Sequence, residues 1–239
     1  MDRKAYIKQE FSKIQVELTE RQAEQFEQYY EMLIAKNEVM NLTAITEFEE
    51  VVQKHFIDSV MIKELQEPGE GEKWIDVGTG AGFPGIPLKI VYPQLRMTLL
   101  DSLNKRVKFL QEVVDALKLE QVEALHGRAE EYAKKAEYRE QFGCCVSRAV
   151  ANLASLSEYC LPFVKVGGAF VPYKSGKIQE EIEAAGKAVE ILGGRIGQRK
   201  EFMLPGSDMY RCLLYIEKVK ATAKKYPRKA GMPTKEPLH

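Results

Sequence analysis

The segment Trp74-Ile75-Asp76-Val77-Gly78-Thr79-Gly80-Ala81-Gly82-Phe83 holds the residues whose types and spacing point most clearly to chemistry. An apolar run passes straight into glycines at alternate positions. Without Cβ atoms, such residues allow a tight turn and a close approach of ligand to backbone. Asp101 closes the next apolar run, at a distance from Gly78 that suits one strand–helix–strand unit. A carboxylate there can accept hydrogen bonds from a ribose diol. Gly80, Gly82 and Gly85 also satisfy the dinucleotide pattern G-x-G-x-x-G, which is weak alone. Two features favour S-adenosylmethionine (AdoMet) instead. Asp76, two residues ahead of the first glycine, is placed to reach a charged amino-acid group. Pro84 and Pro87 delay and shorten the helix whose N-terminus would otherwise bind pyrophosphate. The competing reading is a tight turn with no ligand.

Two later segments belong to the same end of the expected sheet. Gly127-Arg128-Ala129-Glu130 follows the third strand, where a loop can contact an adenine; equally, Ala129 and Glu130 open a helix whose positive end favours Glu. Ser147-Arg148-Ala149 closes the fourth strand. Arg148 there can pair a carboxylate, donate to guanine O6 and N7, or form a salt bridge to a nearby helix. The Asn/Asp-Pro-Pro-aromatic motif used on exocyclic amines is missing. Cys144 and Cys145 lie within the strand rather than after it, which argues against a covalent cytosine mechanism. His55 sits on an apolar helical face and reads as a packed residue rather than a base.

The elements that must position these residues follow from periodicity. Residues 1–70 form a helical N-terminal region. Thr19-Glu20-Arg21-Gln22 is a capping box, and Thr46 with Glu49 repeats the start signal ahead of Phe48, Val51, Val52, His55, Phe56 and Ser59 on one face. Pro68-Gly69-Glu70-Gly71 breaks the pattern. Residues 71–220 then alternate strands (73–77, 96–100, 122–126, 142–147, 168–173) with helices (near 85–92, 103–118, 129–136, 151–161 and 176–192). That rhythm predicts an α/β, doubly wound Rossmann-like sheet. Strands at 195–203 and 211–219 are joined by a link too short for a parallel crossover. The seven-stranded sheet therefore ends in an antiparallel pair, as class I methyltransferase sheets do and dinucleotide folds typically do not.

Lys+Arg and Asp+Glu balance at 35 each, yet unevenly. Residues 1–72 hold 8 basic against 16 acidic groups, and residues 218–239 hold 7 against 1. In the tail, 221–239, Lys224, Lys225, Arg228 and Lys229 surround Tyr226, a pattern suited to RNA backbone and base, with Pro227, Pro233 and Pro237 holding the segment extended. A solvated tail that touches nothing fits the same composition. No apolar run approaches a membrane span, and the start lacks the apolar stretch of a secretory signal. Four cysteines without C-x-x-C spacing read as reduced core residues of a cytoplasmic protein, and no metal site is expected.

Taken in order, these motifs resemble one family. They are Asn41-Leu42-Thr43-Ala44-Ile45, His55-Phe56-Ile57-Asp58-Ser59, Asp76 to Leu88 with its Gly-Phe-Pro-Gly-Ile-Pro extension, Leu100-Asp101-Ser102, Ser147-Arg148-Ala149-Val150-Ala151 and Lys225 to Pro233. The chain resembles the ribosomal RNA small-subunit methyltransferase G family (RsmG, also called GidB) over nearly its whole length. The resemblance implies methyl transfer from AdoMet to guanine N7 in 16S rRNA, and AdoMet contacts at Gly78, Phe83, Ala129, Glu130 and Arg148. The partner it implies is 16S rRNA or the small ribosomal subunit, and the expected state is a monomer. Guanine N7 presents a lone pair, so no general base is expected. The rival readings are a small-molecule AdoMet-dependent methyltransferase and a regulatory RNA-binding protein that keeps AdoMet as a ligand.

Overall fold

The computed structural model describes residues 2–149, 151–176 and 178–239; Val150 of the Ser147–Ala151 motif lies outside them. Helices α1 (Arg3–Lys13), α2 (Glu20–Met40), α3 (Phe48–Val51) and α4 (Asp58–Val60) come first. The strands are β1 (Lys73–Val77), β2 (Arg96–Asp101), β3 (Val122–His126), β4 (Phe142–Ser147), β5 (Val164–Ser175), β6 (Gly194–Met203) and β7 (Tyr210–Lys218). Between and after them run α5 (Gly85–Val91), α6 (Asn104–Ala116), α7 (Ala129–Tyr132), α8 (Leu153–Cys160), α9 (Gln179–Ile191) and α10 (Met232–Lys235).

The strands form one seven-stranded sheet in the order β3-β2-β1-β4-β5-β7-β6. The first five are parallel, and β7 enters antiparallel between β5 and β6. The order reverses between β1 and β4, so the crevice for a ligand opens at the carboxyl ends of β1, β2 and β4. Both sheet faces are covered. On one, Trp74, Leu99, Cys144 and Val171 pack with Phe11, Phe26, Phe56 and Leu110; on the other, Ile75, Cys145 and Phe170 pack with Leu156, Val189 and Tyr226. Alternate residues of β1 thus serve opposite cores, as a strand buried on both sides requires.

The N-terminal helices share a core with the sheet. Thr19 caps α2 through the expected box, and the Gln22 amide of that box also donates to Ile90 O at 2.8 Å. A line of rings leads inward: Phe11 to Phe26 at 4.7 Å, Phe26 to Phe56 at 4.9 Å, Phe56 to Tyr29 at 5.5 Å, and Tyr29 to Phe83 in the glycine loop at 5.4 Å. The second start signal behaves differently from expectation. Thr46 does not cap; the helix begins after Glu47 without a side-chain cap, and Val52–Ile57 is wound as a π-helix. One extra residue per turn breaks the 3.6-residue face read from the sequence. It turns both His55 and Asp58 toward the sheet, where each is bonded to Arg148.

The tail is also not the extended segment that its prolines suggested. It folds back across α8 and the end of β7. Arg139 donates to the carbonyls of Thr222, Ala223 and Tyr226, and buried Lys218 donates to Leu161 O, Val164 O and Thr222 Oγ1. Arg228 is spent on the fold: it forks onto Glu158, whose carboxylate is 0% exposed, at 2.6 to 3.1 Å. Lys224, Lys225 and Lys229 remain exposed. Leaving a buried carboxylate unpaired costs about 3–5 kcal/mol. Arg228→Ala should therefore lower the free energy of unfolding by about that amount in a denaturant titration, whereas Lys224→Ala should leave it within about 0.5 kcal/mol.

Candidate active site

The glycine loop is held from inside by Asp76. Its Oδ2 accepts from Thr79 Oγ1 at 2.7 Å and from the Gly85 amide at 2.9 Å, with the side chain 0% exposed. Burial pushes its carboxyl up to about 7, against the lowering effect of those two bonds. Oδ2 thus fixes the loop from beneath, while Oδ1 is buried with no hydrogen-bond partner among the described residues. The loop also leans on the helical layer: the Tyr29 hydroxyl donates to Ala81 O at 2.7 Å, and a Cβ at Gly82 would meet that hydroxyl at 2.7 Å. Gly82 and Phe83 therefore form the underside of the loop, with Phe83 buried.

Asp101, 3% exposed, stands at the end of β2 in the wall of a cleft. Its Oδ2 accepts from the Gly80 amide at 2.9 Å and its Oδ1 from the Leu103 amide at 2.8 Å, which leaves lone pairs for further donors. Together with Val77, Gly78, Leu100, Ser102, Gly127, Arg128, Ala129, Glu130, Leu156 and Tyr159 it lines a cleft of about 200 Å³. A nucleoside fits this lining: a carboxylate for ribose hydroxyls, apolar Leu100, Ala129 and Leu156 for a base, and Gly78 at φ +73° where main chain must come close. Any Cβ at Gly78 would stand 3.2 Å from Ala149 Cβ. Glu130 lines the cleft, and its Oε1 accepts from the Gly231 amide of the tail at 2.8 Å. Of the two readings of the Ala129–Glu130 segment, the helix start is the one seen, since α7 begins there.

Arg148 stands apart from the cleft. Its guanidinium donates to Asp58 Oδ2 at 3.0 Å, Lys54 O at 3.2 Å and His55 Nδ1 at 3.1 Å, and it lies 4.9 Å from the Phe83 ring centroid. Of the roles open to it, the salt bridge to a helix is the one seen. Asp58, 1% exposed, takes a second cation on its other oxygen: Arg211 Nε donates to Oδ1 at 2.7 Å. His55 accepts from Arg148 on Nδ1, bonds Thr43 Oγ1 through Nε2 at 2.8 Å, and stacks on Phe83 at 4.5 Å. Burial, then the Arg148 charge, push its pKa down to about 3, so the imidazole is neutral with both nitrogens engaged. It cannot serve as a base at neutral pH.

A second cavity of about 520 Å³ opens beside the cleft, lined by Asp58, Arg148, Asn152, Tyr173, Lys174, Ser175, Glu181, Met209 and Arg211. Ala149 and Ala151 line both spaces. Each carboxylate in the cavity wall is paired with a cation: Asp58 with Arg148 and Arg211, Glu181 with Lys174 at 2.6 Å. Sequence reasoning missed Asp58, Lys174, Glu181 and Arg211. Asp58 stood in the His55–Ser59 motif without a role, and an acid beside Phe56, Ile57 and Val60 was the signal available for it. Cys144 and Cys145 are buried in β4 with thiols pushed well above their ordinary pKa by burial, so neither is a nucleophile for this cavity. No group of side chains able to hold a metal ion is found among the described residues, and no helix among them is long and apolar enough to cross a membrane.

Residues 22–204 match the model of the GidB family, described as rRNA small subunit methyltransferase G. The chain is 56% identical over 93% of its length, and 92% of the relative's, to the ribosomal RNA small subunit methyltransferase G of Lachnoclostridium phytofermentans. It is 50% identical to that of Alkaliphilus metalliredigens over the whole of both chains. Among solved structures, a SAM-dependent methyltransferase from Aquifex aeolicus superposes with a TM-score of 0.52 at 21% identity, covering 70% of this chain and 92% of its own. TYW2 of M. jannaschii, in complex with AdoMet, superposes at 0.55 with 14% identity, covering 74% and 80%. At these identities the structural matches establish the fold.

Loop support and ligand contact by Asp76 are separable. Asp76→Asn keeps an acceptor for Thr79 and Gly85, while Asp76→Ala removes it. Two hydrogen bonds of about 1 kcal/mol each correspond to roughly tenfold or more in affinity. Titration of AdoMet should therefore give a dissociation constant within about threefold of wild type for Asn and raised about tenfold or more for Ala. Equal losses in both variants would mean that the charge itself meets the ligand.

Proposed function

The chain belongs to the rRNA small subunit methyltransferase G family, and we propose that it moves a methyl group from AdoMet, held in the cleft at Gly78 and Asp101, to N7 of a guanine of 16S rRNA held in the neighbouring cavity. One observation carries this division of labour: two clefts of different chemistry meet at a shared wall, Ala149 and Ala151, at the carboxyl edge of the sheet. The first suits a nucleoside, and the second is faced with Arg148, Arg211 and Lys174, which suit a polyanion.

AdoMet, when bound, supplies a methyl group on a positively charged sulfur. Guanine N7 gives its lone pair to that carbon, the carbon–sulfur bond breaks with its electrons going to sulfur, and the charge passes to the purine. No proton leaves in this exchange. The residues accordingly bind and orient. Asp101 takes ribose hydroxyls, and the Gly78–Gly80 main chain closes over the ligand where Cβ atoms are missing. Arg148 and Arg211, locked by Asp58, offer fixed donors for the acceptor's phosphates or base edge. Pre-set donors lower the entropic cost of aligning two large reactants, which is where most of the acceleration must come from when no acid or base takes part. Lys224, Lys225 and Lys229 remain exposed on the tail, with Lys225 Nζ 5.2 Å from the Tyr226 ring centroid. Arg228, bound to Glu158, leaves that set.

The test is transfer from labelled AdoMet to unmodified 16S rRNA, naked and as 30S subunits, with the product base identified. Label recovered as 7-methylguanine at one position is the expected result; label in another base, or none, contradicts the reading. In the same assay Lys224, Lys225 and Lys229 changed together to Ala should flatten the log–log salt dependence of RNA binding by up to about two units, at about 0.7 per phosphate, with AdoMet affinity unchanged.

A further inference from the structure

The groups lining the acceptor cavity are laid out in an order that matches one base. Lys174 closes β5 and reaches back, its Nζ donating to Ala151 O at 2.7 Å and to Glu181 Oε1 at 2.6 Å. Glu181 stands in the first turn of α9. Ala151 of the wall shared with the cofactor cleft, the Lys174 ammonium and the Glu181 carboxylate are thus linked in that order, and all three line the cavity. Guanine, read outward from N7, presents the nitrogen that takes the methyl group, the O6 acceptor, and the N1–H and N2–H₂ donors. Adenine presents the opposite polarity, an amino donor beside N7 and an acceptor at N1, and would set like against like.

Resting on the reading of this cavity as the acceptor site, we propose that Lys174 and Glu181 are the residues that select guanine: Lys174 Nζ donates to O6, and the Glu181 carboxylate accepts from N1–H and N2–H₂. The valences allow it. An ammonium has three donors, and two of those on Lys174 go to Ala151 O and Glu181, so one is left for O6. The Glu181 side chain lines the cavity and is 29% exposed, with Oε1 bonded to Lys174. Asp58, the other carboxylate of the wall, has a guanidinium on each oxygen and is closed to such a role. The pair also favours the reaction itself. As N7 takes the methyl group the purine becomes cationic and its N1–H more acidic, so the bond to Glu181 strengthens from ground state to transition state. An interaction of that kind raises kcat as well as affinity.

Inosine keeps N7, O6 and N1–H but lacks the N2 amine. Methyl transfer is compared on 30S subunits reconstituted with 16S rRNA carrying guanosine or inosine at the mapped acceptor position. Wild-type protein should use inosine with kcat/KM lower by about tenfold or more, the loss expected of one hydrogen bond to a charged acceptor. Glu181→Ala should lower kcat and kcat/KM on guanosine to a similar level and lose nearly all preference between the two bases, while AdoMet affinity stays within about threefold. Glu181→Gln, which turns an amide donor toward N2, should lose the preference too and keeps the test open if the alanine variant does not fold. A Glu181 variant that still prefers guanosine as strongly as wild type overturns the proposal, as does a fully active wild type indifferent to inosine. Absence of transfer to guanosine by wild type would instead overturn the reading of the acceptor site on which this rests.

Discussion

Two guanidinium groups share one wall of the acceptor cavity, and the carboxylate of Asp58 between them is what lets them stay there. Arg148 comes from the end of β4 and Arg211 from the start of β7, 63 residues later in sequence, and each takes one oxygen of Asp58 at 3.0 and 2.7 Å. Without it, two like charges would face each other in a partly buried space, where Coulomb repulsion is several times that in bulk water. With it, both side chains are fixed in one geometry with donors to spare. A buried ion pair seldom adds net stability over an apolar replacement, but removal of one partner is costly, so such a group acts as a positioning device. The π-helical turns ahead of Asp58 are how the helix delivers it: Val52–Ile57 add the residue that turns His55 and Asp58 together toward Arg148.

The same helical layer supports the cofactor side. Tyr29 on α2 packs between Phe56 and Phe83 and holds the glycine loop by its hydroxyl, while His55 and Arg148 both lie against the Phe83 ring. The two clefts are therefore built from opposite sides by one set of contacts. Asp76 fastens the loop to β1 from beneath, the aromatic line fastens it to the helices, and Ser147 Oγ donating to Val77 O at 2.8 Å ties the ends of β1 and β4 at the point where the cavities meet. At the far end the tail packs beside the smaller cleft, with Gly231 on Glu130, Pro233 O accepting from Ser155 and Thr234 on Tyr159.

What the sequence made legible was what local spacing controls. Strand alternation, the glycine loop with Asp101, the capping box at Thr19 and the final hairpin all express interactions within a few residues or one sheet register. What escaped it depends on distant partners. Arg228 looked like part of a basic stretch because its counter-charge, Glu158, lies 70 residues earlier in an apolar helix. The position of Asp76 relative to Gly78 likewise says nothing of the bonds that its Oδ2 takes from Thr79 and Gly85. Arg211 carried no signal at all, and the helical periodicity around His55 misled, since a π-turn leaves the residue types unchanged while rotating the face. The resemblance carried by the motifs named the reaction, but the roles of Asp58 and Arg211 emerge only where chain segments 153 residues apart come together.

The central claim is that Asp58 serves the reaction by holding the cations of the acceptor site, and its most direct test is a double-mutant cycle on kcat/KM for 30S methylation. The corners are wild type, Asp58→Asn, Arg211→Met and the double variant, with AdoMet affinity followed in each to report an intact fold. If Asp58 acts through Arg211, each single change should slow methyl transfer and the second should cost far less once the first is made, a coupling of about 1 kcal/mol or more. Losses that simply add, or an Asp58→Asn protein that folds and transfers methyl groups at the wild-type rate, would contradict the account.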